Sequence, residues 1–257
     1  MHPDLAFALE LADETDTLIQ ARFRAADLHI ETKPDSTPVT EADRNAEMLL
    51  RTRISEAHPD DEILGEEFGS EGHSGRRWVL DPIDATKNFM RGIPVWATLI
   101  ALEIDRVPVL GVVSAPELGR RWWAYRDEGA FVNAVPMRVS GVAHLAEAQL
   151  AYGDVETFDE TGQADRFLAL SRSCARSRGF GDFWSHMLVA EGACDIGLDP
   201  IAAEWDLAAL QVIVEEAGGR FTDFDGNPRP DGGSGISTNR LLHDVVLGAF
   251  GGAGGAQ

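Results

Sequence analysis

The stretch Trp78-Val79-Leu80-Asp81-Pro82-Ile83-Asp84-Ala85-Thr86-Lys87-Asn88-Phe89 brings two carboxylates to the end of an apolar run. Proline fixes its own φ and disfavours helix for the residue before it, so Asp81 is predicted to be extended. Two carboxylates this close repel each other unless a cation or a proton lies between them. The stretch therefore predicts either a metal site beside an anion-binding helix start or a plain turn with Asp84 as N-cap.

The composition limits the classes of function that the chain can have. It has 257 residues, of which 44% are hydrophobic and 25% charged, as in an ordinary globular protein. The net charge of −21 argues against a nucleic acid or an anionic membrane as partner, because both would be repelled. It does not exclude an anionic substrate, since bound divalent cations reverse the local sign.

The cysteines and the N-terminus favour a cytoplasmic location. Cys174 and Cys194 are the chain's two cysteines and form no CxxC pair, so neither a disulfide framework nor a structural zinc site is expected. The first residues lack the basic and apolar regions of a signal peptide. No apolar run approaches the ~20 residues that span a bilayer.

Apolar periodicity predicts the main elements. Residues 4–26 have helical spacing, and Thr40 with Asp43 has the spacing of a capping box that opens a second helix. The β-rich runs 95–103 and 107–115 are predicted to pair as antiparallel strands.

The pattern of the chain changes near residue 143. We predict an N-terminal α+β half at 1–142, a C-terminal α/β half at 143–250 and a disordered tail at 251–257. The glycine-rich segment 69–75 is predicted to be a surface loop.

Acidic residues stand at the ends of several predicted elements besides the first stretch. They are Asp43, Glu66 and Asp206, and each has a structural interpretation. Asp43 fits a cap partner, Glu66 a solvated loop acid, and Asp206 a first-turn acid favoured by the helix dipole. Taken singly, these acids leave the metal interpretation and the structural one open.

Three motifs taken together indicate a protein family more specifically than the single acids do. Gly65-Glu66-Glu67, the stretch at 78–89, and Trp205-Asp206-Leu207-Ala208-Ala209 with Glu216-Ala217-Gly218-Gly219 follow in an order that resembles the inositol monophosphatase superfamily. The resemblance runs from about residue 5 to 248. It implies an α/β (α+β) fold, a five-layer αβαβα sandwich of the inositol monophosphatase and fructose-1,6-bisphosphatase type. It also implies a homodimer, for which the apolar strands and tryptophans between 93 and 125 could supply the interface.

The resemblance implies a set of metal ligands. Glu66, Asp81 and the Ile83 carbonyl would hold one Mg²⁺, and Asp81, Asp84 and Asp206 a second, with a third shared by Glu66. Oxygen-only ligands suit this hard cation. Two or three Mg²⁺ ions per active site are therefore expected.

The resemblance also implies the catalytic groups. Thr86, hydrogen-bonded to Asp43, would orient or deprotonate the water that attacks phosphorus in line, with Glu66 beside it. The backbone N–H groups of Ala85 and Thr86 would hold the phosphate. Lys33 matches a family lysine near the metal site, although it could equally be a solvated loop charge.

One position departs from the family pattern. Ala85 stands where the family usually has glycine. If this position needed positive φ, alanine would cost on the order of 1 kcal/mol. The helix that follows suggests αR geometry, so we expect alanine to be tolerated with only a modest effect on turnover.

The second half contains acids suited to selecting a substrate. Asp182 and Asp199 could surround a cationic leaving group better than a neutral one, although Asp182 could instead be an N-cap. An aromatic side chain such as Trp78 or Trp96 could also contact the ligand. Lys87, the segments 91–97, 114–116 and 120–124, and Gly181-Asp182-Phe183 resemble the histidinol-phosphatase branch found in some bacteria.

This branch implies hydrolysis of L-histidinol phosphate, a small-molecule phosphate ester, in histidine synthesis. The alternative is an inositol-1-monophosphatase or another small phosphate-ester phosphatase of the superfamily. A bisphosphatase is disfavoured because no second basic phosphate pocket is evident. A non-catalytic metal-binding scaffold is disfavoured because neither the acids nor Thr86 are missing.

Overall fold

A computed structural model describes residues 1–33 and 37–251, in which helices alternate with two main β-sheets. The predicted disordered tail falls almost entirely on 252–257, outside the described residues. The α-helices are α1 (Pro3–Gln20), α2 (Glu41–Ala57), α3 (Thr86–Met90), α4 (Val155–Glu160), α5 (Ala164–Ser173), α6 (Asp182–Ala190), α7 (Glu204–Glu216) and α8 (His243–Phe250). The strands are β1 (Ile30–Thr32), β2 (Pro38–Thr40), β3 (Glu62–Gly65), β4 (Gly69–Glu71), β5 (Arg76–Asp84), β6 (Ala97–Ile104), β7 (Val107–Ala115), β8 (Arg120–Tyr125), β9 (Gly129–Val132), β10 (Val135–Pro136), β11 (Gln149–Tyr152), β12 (Arg176–Gly179), β13 (Ile196–Asp199), β14 (Arg220–Thr222) and β15 (Gly235–Thr238).

The larger sheet has the strand order β10-β9-β8-β7-β6-β5-β3-β4 in the described chain. The predicted antiparallel pair is confirmed as β6 and β7, with Thr98 opposite Ser114. The prediction of a loop over 69–75 is wrong at its start, because Gly69–Glu71 forms the edge strand β4 against β3. Such a short polar strand has no periodicity of its own and depends on its neighbour for order.

Alternate side chains of β5 enter different cores, as the two-residue period of a strand requires. Trp78 and Leu80 pack with α1 and α2 on one face of the larger sheet. Val79 packs with α6 and α7 on the other face. The chain's catalytic candidates on β5 therefore lie between the larger sheet and the helices of the second half.

The smaller sheet has the order β12-β11-β13-β15-β14. The strands β12, β11 and β13 are mutually parallel, whereas β15 is antiparallel to β13 and β14. Helices α6 and α7 cover one face, and α4, α5 and α8 enclose the other. The layers run α1/α2, larger sheet, α6/α7, smaller sheet, α5/α8, which confirms the αβαβα prediction. The division at residue 143 stays a prediction.

The helix boundaries agree with the capping predictions in one case and differ in another. Thr40 and Asp43 form the predicted reciprocal capping box at the start of α2. Helix α1 ends at Gln20 rather than at residue 26, and Arg24 has φ +61°, which an α-helix cannot contain. Across residues 1–33 and 37–251, no helix combines the length and apolarity needed to cross a bilayer.

Candidate active site

A β-bulge brings the two aspartates of β5 to the same side of the sheet. Asp81 lies opposite Leu99 and Asp84 opposite Ala97, so three steps on β5 match two steps on β6. In a regular strand, residues three apart would point to opposite faces. The extra residue at Pro82-Ile83 cancels this alternation and is a common device beside functional sites.

Asp206 joins these two aspartates from the first turn of α7. One carboxylate oxygen from each of Asp81, Asp84 and Asp206 lies within 4.8 Å of the others. Backbone N–H groups fix two of the three acids. Asp84 Oδ2 accepts from the Phe183 N–H at 2.8 Å, and Asp206 Oδ2 accepts from the Ala203 N–H at 2.7 Å. The predicted first-turn role of Asp206 and its place in the cluster are therefore compatible.

The cluster is electrostatically unfavourable without a cation. Burial, with the carboxylates of Glu66, Asp84 and Asp206, raises the pKa of Asp81 well above its ordinary value. Burial raises the pKa of Asp206 to about 7, with further contributions from Glu66 and Asp199. Burial and the neighbouring Asp182 and Asp206 likewise raise the pKa of Asp84 well above its ordinary value. Each pKa is raised because burial removes water from the carboxylates and because three adjacent negative charges repel one another.

The donor set fits a hard divalent cation. The Asp81 Oδ1 atom is buried and has no hydrogen-bond partner within the described residues. A buried carboxylate oxygen without a partner costs folding free energy unless a cation neutralises it. All donors are oxygens, which favours Mg²⁺ over softer metals.

Asp43 and Thr86 approach each other beside the cluster, as predicted. Asp43 Oδ2 accepts from the Thr40 backbone N–H at 2.8 Å and from the Thr40 hydroxyl at 2.5 Å. Its other oxygen lies 3.3 Å from Thr86 Oγ1, which is also 3.0 Å from the Ile83 carbonyl. Burial raises the pKa of Asp43 to about 6, against the opposing effect of the Thr40 hydrogen bonds. Asp43 therefore both caps a helix and holds a cavity-lining hydroxyl.

Glu66 lines the same cavity, next to an ion pair with Lys33. Lys33 Nζ lies 2.7 Å from Glu66 Oε1 and 2.6 Å from Glu67 Oε1. The sequence left Lys33 either as a site residue or as a solvated charge. The structure places it beside the cluster as a counter-charge, with its side chain 16% exposed. Behind them, the fully buried Glu47 accepts from the Glu67 N–H at 2.7 Å and orders this segment.

Ala85 adopts a conformation that differs from the expected αR geometry. Its φ and ψ are +67° and +46°, in the left-handed region, and it is the N-cap of α3. The expectation of αR geometry was wrong because the chain passes from the end of β5 into α3 within one residue. Asp84 is accordingly the last residue of the strand and not the N-cap.

A cavity of about 470 Å³ extends from the cluster toward the smaller sheet. Its lining includes Ala85, Thr86 and Lys87 on one side, and Asp182 and Asp199 on the other. The volume lies within the range typical of small-molecule sites. The sequence-predicted phosphate and substrate groups therefore meet in one cavity.

The acids of the far wall follow the carboxyl ends of adjacent parallel strands. Asp154 follows β11, Asp182 follows β12, and Asp199 ends β13. Because these strands are parallel neighbours, the residues at their carboxyl ends reach the same edge, where α/β sheets bind ligands. Asp182 is the first residue of α6, with φ +46°, and its N-cap is Gly181. The alternative of Asp182 as N-cap is therefore wrong.

Trp78 and Trp96 do not line the cavity, so neither suggested aromatic reaches a ligand there. Trp78 is fully buried on the other face of β5, where its Nε1–H donates to Asp61 at 2.9 Å. Trp96 packs with Phe89 in the core beneath α3. Trp122 is also fully buried, so these side chains are core residues of one chain. The homodimer stays a prediction.

Sequence reasoning missed three residues that shape the substrate wall. Asp154 caps α4 and lines the cavity with Thr157. His186 contacts Asp199 from α6 at 2.8 Å. The strand order that brings them together is not visible from spacing. The signal available was that Gly153-Asp154, like Gly181-Asp182, follows a short β-rich run.

An oxygen-only acidic cluster beside a hydroxyl and a small-molecule cavity is typical of a metal-dependent phosphatase. The inositol monophosphatase family model matches residues 1–251. The chain belongs to this family and is a phosphatase.

Individual relatives agree with this assignment along nearly the whole chain. A histidinol-phosphatase of Mycobacterium tuberculosis is 53% identical over 252 residues, which cover 96% of this chain and 97% of that protein. A histidinol-phosphatase of Streptomyces coelicolor is 51% identical over 254 residues, covering 95% and 96%. An inositol monophosphatase structure from Zymomonas mobilis has a TM-score of 0.86 at 34% identity and covers 96% of this chain and 97% of that one.

Proposed function

We propose that the protein is a Mg²⁺-dependent histidinol-phosphatase, which hydrolyses L-histidinol phosphate to L-histidinol and phosphate. The relatives at 53% and 51% identity that are named histidinol-phosphatase support this substrate.

The observation that carries the proposal is the acidic wall formed by Asp154, Asp182 and Asp199. In this wall, burial and the nearby Asp199 raise the pKa of Asp182 to about 6, which Lys87 opposes. Carboxylates crowded in this way favour a cation between them. The ammonium group of histidinol supplies such a cation, whereas a neutral cyclitol does not.

Other residues that line the cavity can position the attacking water and the phosphate. The Thr86 hydroxyl can donate a hydrogen bond to Asp43 or to the Ile83 carbonyl, and its lone pairs can accept a hydrogen bond from a water in the cavity. As that water attacks, Thr86 would take its proton and pass its own proton to the Asp43 carboxylate. Ala85 and Thr86 line the cavity, and their backbone N–H groups would hold the phosphate at the start of α3. Lys87 adds a positive charge on this side. The attack on phosphorus would thus occur between these groups and the acidic wall.

Asp81, Asp84, Asp206, Glu66 and the Ile83 carbonyl would hold two or three Mg²⁺ ions. When bound, Mg²⁺ would neutralise phosphate charge and lower the pKa of water in the site. The partly unsatisfied, mutually repelling carboxylates support this assignment.

Phosphate release from L-histidinol phosphate and from inositol 1-phosphate, each with Mg²⁺, tests the substrate. We expect kcat/KM to favour histidinol phosphate by at least about tenfold, which corresponds to about 1.4 kcal/mol. A tenfold preference for inositol 1-phosphate would instead support an inositol monophosphatase, as in the Zymomonas mobilis relative. No hydrolysis of any ester in a phosphate-ester panel would overturn the phosphatase assignment.

A further inference from the structure

A fully buried histidine stands behind the acidic wall. His186 lies on α6 with no exposed surface, where this helix packs on β13 and β15 of the smaller sheet. Its Nε2 is 2.8 Å from Asp199 Oδ2, and its Nδ1 is 2.6 Å from the buried Ser237 Oγ. The three side chains therefore form a chain of hydrogen bonds that ends at the cavity.

The proton positions follow from the chemistry of the two ends. An ionised carboxylate only accepts hydrogen bonds, so Nε2 must carry the proton that it shares with Asp199. In the tautomer that carries its proton on Nε2, Nδ1 accepts a hydrogen bond from the Ser237 hydroxyl. The hydrogen bond to Nε2 fixes the orientation of the Asp199 carboxylate at the edge of the cavity.

The second carboxylate oxygen of Asp199 lies against a glycine. A Cβ atom added to Gly153 would lie 2.4 Å from Asp199 Oδ1, closer than any real contact. Asp199 is thus held at Oδ2 by His186, and its Oδ1 fills the space that Gly153 leaves open. Both constraints fix a carboxylate whose side chain is only 15% exposed.

We propose that His186 is a positioning residue that orients Asp199 toward the ammonium group of a cationic phosphate ester. The proposal rests on the proposed function, because it assigns His186 to the choice of substrate by that same cavity. His186 contacts neither the acidic cluster nor Thr86 in the described hydrogen-bond network. Its effect should therefore appear in substrate discrimination and not in the chemical step.

A matched pair of variants at His186 tests this role. The amide of His186→Gln can place an N–H near the Nε2 position, whereas His186→Asn replaces Nδ1 and loses the donor to Asp199. With Mg²⁺-loaded full-length protein, we expect His186→Asn to raise KM for L-histidinol phosphate about tenfold more than KM for inositol 1-phosphate. The kcat for histidinol phosphate should change less than KM, and His186→Gln should restore most of the discrimination.

Two further arms separate the possible failures. Gly153→Ala should lower discrimination in the same direction, because its methyl group displaces Asp199 without altering His186. Equal losses on both substrates with a lowered Tm, or His186→Asn that keeps the wild-type discrimination, would overturn the positioning role while leaving the proposed function intact. A wild-type protein without preference for histidinol phosphate would overturn both.

Discussion

The Thr86 hydroxyl lies 3.3 Å from the Asp43 carboxylate, although 43 residues separate them in the chain. Asp43 uses its other oxygen to cap α2, so the helix start itself fixes the acid that faces Thr86. Asp43 is thereby held at the start of a helix and not on a loop. A rigid attachment matters because catalytic groups lose efficiency when they are displaced by about 1 Å.

Removing the Thr86 hydroxyl should lower the rate of chemistry. We expect Thr86→Ala to reduce kcat by about 10²- to 10⁴-fold, the usual contribution of a positioned acid or base. KM should change little, because the wall that holds the leaving group stays intact. Steady-state phosphate release measures both constants. Thr86→Ser keeps the hydroxyl and is the control; a Thr86→Ala variant with more than a tenth of wild-type kcat would contradict the assignment.

The repelling carboxylates of the acidic cluster should lower the stability of the metal-free protein and favour metal binding. Asp206→Asn removes one of three repelling charges, yet its amide oxygen can still accept from the Ala203 N–H. Without metal, we expect this variant to have a higher Tm than the wild type. With Mg²⁺, its stabilisation should need more than about tenfold higher metal concentration.

Thermal unfolding with and without chelator measures both effects in the absence of substrate. The exposed Asp159→Asn on α4 is the matched control, since it removes a charge that does not line the cavity. An Asp206→Asn variant that binds Mg²⁺ like the wild type would show that Asp206 is not a ligand.

Local sequence patterns explain how much of this site could be predicted. Asp43, Asp81, Asp84 and Asp206 stand at element ends within recognisable local patterns, but each pattern also fitted a structural role. Only the resemblance to a known family singled them out as one group. The bulge that aligns Asp81 with Asp84 was not predicted, although the proline between them is confined in sheets to edges and bulges. The layered fold came from the same motifs, because they resemble those of a known family.

The substrate wall was only partly predictable, for a physical reason. Asp154, Asp182 and Asp199 are neighbours because β12, β11 and β13 pair in that order, and pairing order is a long-range property. His186 looked like an ordinary residue of an apolar helix. Trp78 was misassigned because strand alternation sends it to the opposite face of the larger sheet.

Ala85 should be a site of recoverable strain. Its left-handed backbone costs an alanine about 1–2 kcal/mol, whereas glycine adopts it freely. Glycine also loses about 0.4–1 kcal/mol through the greater entropy of the unfolded chain. We therefore expect Ala85→Gly to raise the free energy of unfolding by on the order of 0.5–1 kcal/mol, measured by urea denaturation. Turnover should change only modestly; a large gain in kcat/KM would mean that the methyl group obstructs the phosphate.

A largely buried ion triad joins the elements that carry the acidic cluster. Arg77 on β5 donates to Glu103 on β6 at 2.5 Å and to Glu204, the first residue of α7. Strand β5 carries Asp81 and Asp84, and α7 carries Asp206, so the triad fixes one relative to the other. Arg77→Met leaves Glu103 buried without a partner and should destabilise the fold by about 3–5 kcal/mol.

The double variant Arg77→Met/Glu103→Met removes both buried charges and should recover most of that loss in the same denaturation experiment. Its Mg²⁺ affinity should stay below that of the wild type, because Glu204 has lost its anchor. Full recovery of both properties would mean that the triad does not position α7.

His243 should make the fold sensitive to mild acid. Burial, with a smaller effect of Arg220, lowers the pKa of His243 to about 4, and the hydroxyls of Thr222 and Thr238 contact its ring at 3.0 Å. In the unfolded chain its pKa is about 6.5, so between these values the unfolded state binds more protons and stability rises with pH. Between pH 7 and pH 5 the contribution of His243 to the free energy of unfolding should therefore fall by about 2 kcal/mol. Carboxyls whose pKa is raised by burial, such as Asp206 and Asp43, change in the opposite direction over this range. His243→Gln should lose this component in urea denaturation at the two pH values, and an unchanged pH dependence in the variant would assign the acid sensitivity to other groups.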